Sequence, residues 1–201
     1  MSIGLYISHP EVDISPHIPV GQWTLSSKGK MRAHDFAKRH LIPHGTPIFS
    51  STETKAMELA RILAAVTNSK IVFKNRLAEN DRSATGFLPP EQFEQHVKKL
   101  FAYPNKSVAG WETACDAQSR IVAAIQEILK AHDNNKPIIF TGHGCVGTLL
   151  KCHFAGSPIA QSQDQREMAD IGGGNIFAFD LAQKNLLCDW TPMENWTGTL
   201  S

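Results

Sequence analysis

Leu5-Tyr6-Ile7-Ser8-His9-Pro10 and Ile138-Ile139-Phe140-Thr141-Gly142-His143-Gly144 decide how this chain is read. Each is a short apolar run that ends at a histidine. Such a run predicts a buried strand, with the residue past its end on the rim of the sheet. In open α/β sheets that rim, outside the carboxyl ends of the strands, is where ligands bind. Two imidazoles delivered there from distant parts of the chain imply one site with histidine chemistry.

Outward from these strands, the two periodicities alternate along the whole chain. Residues 3–8 predict a strand, and a loop rich in Pro and His runs on to Trp23. Ser26 or Ser27 can cap a helix to about Leu41, with Met31, Phe36 and Ala37 on its apolar face. Pro47-Ile48-Phe49-Ser50 predicts a short strand. From Thr52 a helix places Ala56, Leu59, Ala60, Leu63 and Ala64 in one stripe at spacings of three and four. Ile71-Val72-Phe73 is a third strand, and residues 80–90, with Gly86 and Pro89-Pro90, form a loop. Helices follow at about 91–102 and 112–131, then the strand at 138–141 and a helix through Leu149-Leu150. Residues 157–175 read as a polar loop, and Ile176–Phe179 and Leu186–Cys188 as a terminal antiparallel pair. Alternating strands and helices imply an α/β fold, a three-layer α/β/α sandwich with a mainly parallel central sheet covered on both faces.

The 201 residues fit one domain, residues 1–201, with residues 80–110 as a small cap or loop region over the site. Hydrophobic content of 42% and charged content of 19% suit an ordinary globular core. A net charge of +1 supplies no broad field for nucleic acid or acidic membranes. No apolar stretch approaches the ~20 residues of a membrane span, and the first residues carry no basic or long apolar leader pattern. The expectation is a cytoplasmic protein with no nucleic-acid or membrane partner. Cys115, Cys145, Cys152 and Cys188 show neither CxxC pairing nor the spacing of a disulfide framework. They read as free thiols, with a thiolate conceivable only for Cys145 beside a helix start.

Three chemistries compete for the histidines. Gly142-His143-Gly144-Cys145-Val146-Gly147 matches GxGxxG after a strand, but no strand bearing an acid follows about 20 residues on, as a dinucleotide site requires. The glycines read instead as a tight strand-to-helix turn that exposes His143. A metal could draw on His9, Glu11, Asp13, His143 and His153, yet there is no HExxH or HxH. The remaining histidines at 17, 34, 40, 44, 96 and 132 scatter through polar segments, so no metal is expected. The third chemistry is phosphoryl transfer to histidine. A neutral imidazole can attack phosphorus when its other nitrogen is held by an acceptor. The three equatorial oxygens need cations or donors around them, and the leaving oxygen needs an acid. Lys55, Glu79 in Leu77-Ala78-Glu79-Asn80-Asp81-Arg82, and Arg82 itself could face the same rim.

The order of these pieces resembles the histidine phosphatase superfamily, which includes cofactor-dependent phosphoglycerate mutases and broad acid phosphatases. Ser8-His9-Pro10-Glu11 stands where that family has Arg-His-Gly-Glu. Trp23-Thr24-Leu25-Ser26-Ser27-Lys28-Gly29, Ser50-Ser51-Thr52-Glu53-Thr54-Lys55-Ala56, Leu77-Ala78-Glu79, Gly110-Trp111-Glu112 and Gly142-His143-Gly144 follow in the family's order. The resemblance implies that His9 is the phosphorylated nucleophile, Glu79 the proton donor and His143 the second histidine of the phosphate pocket, with the Gly144 backbone beside it. It puts Lys55 at a phosphate-binding arginine position, Ser15 at a position usually held by asparagine, and Ser8 in place of the arginine before the nucleophile. Arginine offers a planar fork to two phosphate oxygens, whereas lysine is a point charge and serine a single hydroxyl. Arg82 is the candidate substitute cation, against the plainer reading of a surface-loop arginine.

The implied function is a phosphatase of phosphate monoesters that uses a phosphohistidine and neither metal nor cofactor. The alternatives are a phosphate-binding or regulatory pseudoenzyme with little turnover, and a mutase-type phosphotransferase. The expected partner is a small phosphorylated molecule, with a homodimer left open. Trp23, Trp111 and Trp190 are expected in or near the core, and Glu112 as a helix-start acid.

Overall fold

A computed structural model describes residues 2–198 and 200. Six strands form one sheet in the order β3-β2-β4-β1-β5-β6. They are β1 (Ile3–Ser8), β2 (Ile48–Ser50), β3 (Ile71–Phe73), β4 (Ile138–Gly142), β5 (Asn175–Asp180) and β6 (Leu186–Pro192). β1, β2, β3 and β4 are mutually parallel, while β5 runs antiparallel to both β1 and β6. The helices are α1 (Ser27–Ala37), α2 (Thr54–Thr67), α3 (Pro90–Ala102), α4 (Ala114–Lys130), α5 (Gly144–Ala155) and the short α6 (Gln165–Met168). The expected sandwich with a mainly parallel sheet is the observed fold.

Alternation along the strands divides the core into two layers. Leu5, Ile7, Ile48, Ile139 and Ile176 face α1 and α2, where they meet Ala33, Phe36, Leu59 and Leu63. Tyr6, Ile138, Phe140, Phe177 and Phe179 face α4 and α5, against Ile121, Ile125, Val146, Leu150 and Phe154. A third, smaller cluster of Val97, Leu100, Phe101, Trp111, Ala114, Ala117 and Leu149 seats α3 against the start of α4 and the middle of α5.

Several expectations shift in detail. Ser26 does cap α1, its hydroxyl accepting from Gly29 N at 3.1 Å, but the helix stops at Ala37 rather than near Leu41. Lys38 closes it, and His40 then turns left-handed at φ 52°. Phe36 and Ala37 are buried as expected, but Met31 is 58% exposed and Arg32 and Ala33 take the buried positions beside it. α2 begins at Thr54 instead of Thr52, because Ser51 and Glu53 are held in the loop that builds the site. Within the predicted loop 157–175 lies α6, capped by Asp164, whose carboxylate accepts from Arg166 N at 2.9 Å. Trp111 and Trp190 are buried as expected, whereas Trp23 is only half-buried.

Among the described residues, no helix is long and apolar enough to cross a membrane, and no group of three or more His, Cys, Asp or Glu side chains is arranged to hold a metal ion.

Candidate active site

Parallel pairing of β1 with β4 brings Ser8 level with Gly142, so the two histidines that follow leave the sheet side by side. The His9 and His143 rings meet edge to face with centroids 5.3 Å apart. His9 N donates to Gly142 O at 2.9 Å and Gly174 N donates to His9 O at 3.1 Å, which fixes the backbone under the first ring. The Nδ1–H of His9 donates to Pro10 O at 2.8 Å. That leaves Nε2 with its lone pair. Burial, and secondarily the Lys55 ammonium, push the His9 pKa down to about 4, against the weaker pull of the Pro10 bond. The ring is therefore neutral at neutral pH.

The turn that carries His143 is shaped by Tyr6. The tyrosine hydroxyl accepts from His143 N at 2.9 Å and donates to His143 O at 3.1 Å. A Cβ at Gly142 would stand 2.2 Å from that hydroxyl oxygen, and one at Gly147 would stand 2.4 Å from the tyrosine ring. Two of the GxGxxG glycines thus make room for an aromatic side chain. His143 is fully buried. Its Nε2 lies 2.8 Å from Ser51 Oγ and 3.4 Å from Glu53 Oε1, while its Nδ1 is buried with no partner. Burial drives its pKa well below the usual histidine value, although Glu53 opposes the shift.

Glu79 reaches the same turn from the far side. Its Oε1 accepts from Val146 N at 2.8 Å and Asn80 N at 3.0 Å, and its Oε2 from Cys145 N at 3.2 Å. His143, the N-cap residue of α5, offers no side-chain bond to the helix, so the Glu79 carboxylate satisfies the first-turn N–H groups in its place. The same geometry corrects the thought of a Cys145 thiolate. Burial, with the Glu79 carboxylate adding to it, pushes that thiol well above its ordinary range.

The expected phosphate ligands fall into two groups. Arg82 faces the cleft, its guanidinium stacked 4.9 Å over the Phe93 ring and 5.7 Å from the Trp111 ring centroid. Gly144 lines the cleft beside His9 and Arg82. Lys55 is 3% exposed. Its Nζ lies 2.5 Å from Glu53 Oε2 and 2.9 Å from Val20 O. Ser8 is fully buried, with its hydroxyl turned to Gln165 Oε1 at 2.6 Å. Ser15 lies among neither set of cavity-lining residues; its carbonyl accepts from Trp23 Nε1 at 2.9 Å. Glu112, read as a helix-start acid, binds Arg120 through both oxygens at 2.9 and 2.8 Å.

Two cavities meet at this rim. One, of about 340 Å³, contains His9, Gly144, Arg82, Gln165 and Arg166. The other, of about 870 Å³, runs along the loop 16–21 to Phe87 and Arg120. Glu79, Asn80 and Arg82 line both.

Glu53, Gln165 and Arg166 were not anticipated as parts of the site. Burial alone would raise the Glu53 pKa, but His143 and the Lys55 ammonium at 2.5 Å together hold its carboxyl well below the usual range. Arg166 pairs with Glu94 at 2.5 Å and Asp164 at 3.1 Å. A signal for the last two existed: Asp164-Gln165-Arg166-Glu167 has the spacing of a helix-start capping box.

The sequence model of the histidine phosphatase superfamily (branch 1) matches residues 18–183. The chain belongs to the histidine phosphatase superfamily. The matched range begins after His9, so that histidine is tied to the family pattern by its place beside His143 rather than by the match. Solved structures of similar fold include Bacillus stearothermophilus YhfR, with a TM-score of 0.75 and 18% identity over 100% of this chain and 98% of that one. The mycobacterial glucosyl-3-phosphoglycerate phosphatase in native form gives 0.74 and 16% over 98% and 99%. Its complex with inorganic phosphate gives 0.73 and 16% over 100% and 99%. No curated protein sequence matches the chain. Superfamily membership and these neighbours support phosphatase activity in general.

Proposed function

We propose that the protein is a phosphatase of phosphate monoesters that works, without metal or cofactor, through a phosphohistidine at His9. The observation that carries this reading is the His9 Nδ1–H bond to Pro10 O in a ring held neutral beside His143. In the first step the His9 Nε2 lone pair attacks phosphorus and the P–O ester bond breaks. The leaving oxygen takes a proton from the Glu79 carboxyl, whose Oε2 carries the longer of its contacts to the α5 turn. In the second step water attacks the phosphohistidine, the P–N bond breaks, Glu79 takes the water's proton, and neutral His9 returns. His143 Nδ1, buried without a partner, finds one in a phosphoryl oxygen. Glu53 Oε1 lies 3.4 Å from Nε2 at the other end of the same ring. Arg82 supplies positive charge at the rim. The phosphoryl group occupies the smaller cavity and the leaving group the larger, with Glu79 on the wall common to both.

The binding-without-turnover reading draws on one observation, the pairing of Lys55 with Glu53, which spends a phosphate-site cation on an internal carboxylate. A single assay separates the two. Purified protein is expected to hydrolyse a generic aryl phosphate in the presence of a chelator, and His9→Ala to abolish it. Absence of turnover across a broad panel of phosphate esters contradicts the phosphatase reading, and turnover that survives in His9→Ala contradicts the phosphohistidine.

A further inference from the structure

The residue before the nucleophile is a serine whose hydroxyl takes no part in the cleft. Ser8 Oγ donates to Gln165 Oε1 at 2.6 Å and accepts from Asn175 N at 3.0 Å. Gln165 Oε1 accepts a second bond, from Asn175 Nδ2 at 3.0 Å. The Asn175 amide is itself fixed at both ends, since Oδ1 accepts from Asp170 N at 3.0 Å and Nδ2 donates to Asp170 O at 2.8 Å. The orientation of the Gln165 amide follows from these partners, because reversing it would set two NH₂ groups against each other. The end left over is Nε2 with its N–H donors. It lies against Gly144, where a Cβ would stand 2.2 Å away, and Gln165 lines the small cavity with His9 and Gly144. The missing side chain at Gly144 is what lets the amide reach the start of α5.

We propose that Gln165 is a phosphate-binding residue, its Nε2 donating to a phosphoryl oxygen beside His9 in the space that a serine at position 8 leaves free. Ser8 and Asn175 are its positioning residues. The inference rests on the phosphatase reading for the nature of the ligand. An amide supplies a directed donor without charge, where a guanidinium would supply both. Arg166, next along α6, adds no free charge, since Glu94 and Asp164 pair with it. Of the cations that line the small cavity, Arg82 is the one without a carboxylate partner among the described residues. The pocket thus pairs one cation at its rim, Arg82, with a neutral amide donor, Gln165 Nε2.

The test uses Gln165→Glu, which keeps the oxygen that accepts from Ser8 and Asn175 and turns the donor end into an acceptor. Parent and variant are titrated with inorganic phosphate and with orthovanadate, and their melting temperatures and aryl-phosphate turnover are measured alongside. The variant is expected to melt with the parent, to bind both anions roughly tenfold or more weakly, and to lose about 10²-fold in kcat/KM. Gln165→Met, which keeps the length and drops the donor, gives the same comparison should the carboxylate variant melt early. Ser8→Ala, which removes one of two anchors, is expected to weaken anion binding less than either. Phosphate binding as tight in both Gln165 variants as in the parent overturns the assignment, even if the parent is an active phosphatase. A parent that binds phosphate through Gln165 but hydrolyses no ester overturns the phosphatase reading and leaves Gln165 in place.

Discussion

His9 meets three requirements of a nucleophile through its nearest neighbours. Its own chain turns it out of the sheet, Pro10 O takes the Nδ1 proton, and burial keeps the ring neutral with a pKa of about 4. The proline at position 10 costs a backbone N–H, yet its carbonyl orients the ring. The pH consequence is direct: kcat/KM should show no loss from His9 protonation between pH 7 and 5, and should fall as the pH approaches about 4. An acid limb centred near the ordinary histidine value of about 6.5 would show that the ring is not held neutral. Glu53 invites a second experiment. Glu53→Gln keeps an oxygen to accept the Glu79 N–H, now at 2.9 Å, and removes the charge that neutralises Lys55. Inhibition by inorganic phosphate should become several-fold tighter, by an amount in line with one added charge-assisted hydrogen bond; unchanged inhibition would mean that Lys55 does not reach the anion. His9 and His143 were legible because each ends a strand-like run, and parallel strands deliver such ends to one rim; Glu79, six residues past the end of β3, was legible only through the family-like order of the pieces around it. Gln165 and Glu53 were not, since their roles depend on neighbours far away in sequence: Ser8 for one, His143 for the other.

At the scale of the element, Glu79 joins two functions. Its carboxylate closes the open N-terminus of α5 through Cys145 N and Val146 N, and it lies on the wall shared by the two cavities. Replacement by alanine removes both functions, with an expected loss of about 1 kcal/mol in stability from the missing cap. Glu79→Gln keeps an oxygen for the helix and loses the acid, so its stability should lie closer to the parent while turnover drops by about 10²–10⁴-fold. Thermal melts and steady-state kinetics on the pair check this, and equal rates for Gln and Glu would remove Glu79 from the chemistry. The elements themselves were legible wherever periodicity ran long enough. The stripe of α2 and the buried apolar runs of β1 and β4 behave as read. The end of α1 was not, because no glycine or proline marks it and Lys38 closes the helix in an ordinary conformation. Nor was α6, a single turn in a polar stretch, which is seated by Lys151 reaching Gln163 and Met168 from the buried face of α5.

For the whole molecule, a site placed at the edge of two core layers ties folding to the protonation of its histidines. The folded pKa values of His9 and His143 lie below the ordinary 6.5, chiefly through burial, and that of the exposed His153 is lowered in the same direction by desolvation. The unfolded chain therefore binds protons that the fold refuses, and stability should fall as the pH drops below about 6.5. Glu11, Glu53 and Glu194 are held below the ordinary 4.5, so their contribution is lost only at lower pH. The window between 6.5 and 4.5 thus reports the histidines, and a melting temperature that stays flat across it would contradict their burial in the neutral form. The layered fold was legible from the alternation of strands and helices. The two cavities were not, because much of their walls comes from the segments 16–21, 78–87 and 164–173, too short or irregular for a periodicity to show. Mixing the protein with an aryl phosphate, quenching during turnover under alkaline conditions that spare a phosphoramidate, and mapping the peptides by mass should find a phosphoryl group on His9. Turnover with no phosphorylated protein at any quench time, or with the phosphoryl group on another residue, would contradict the account.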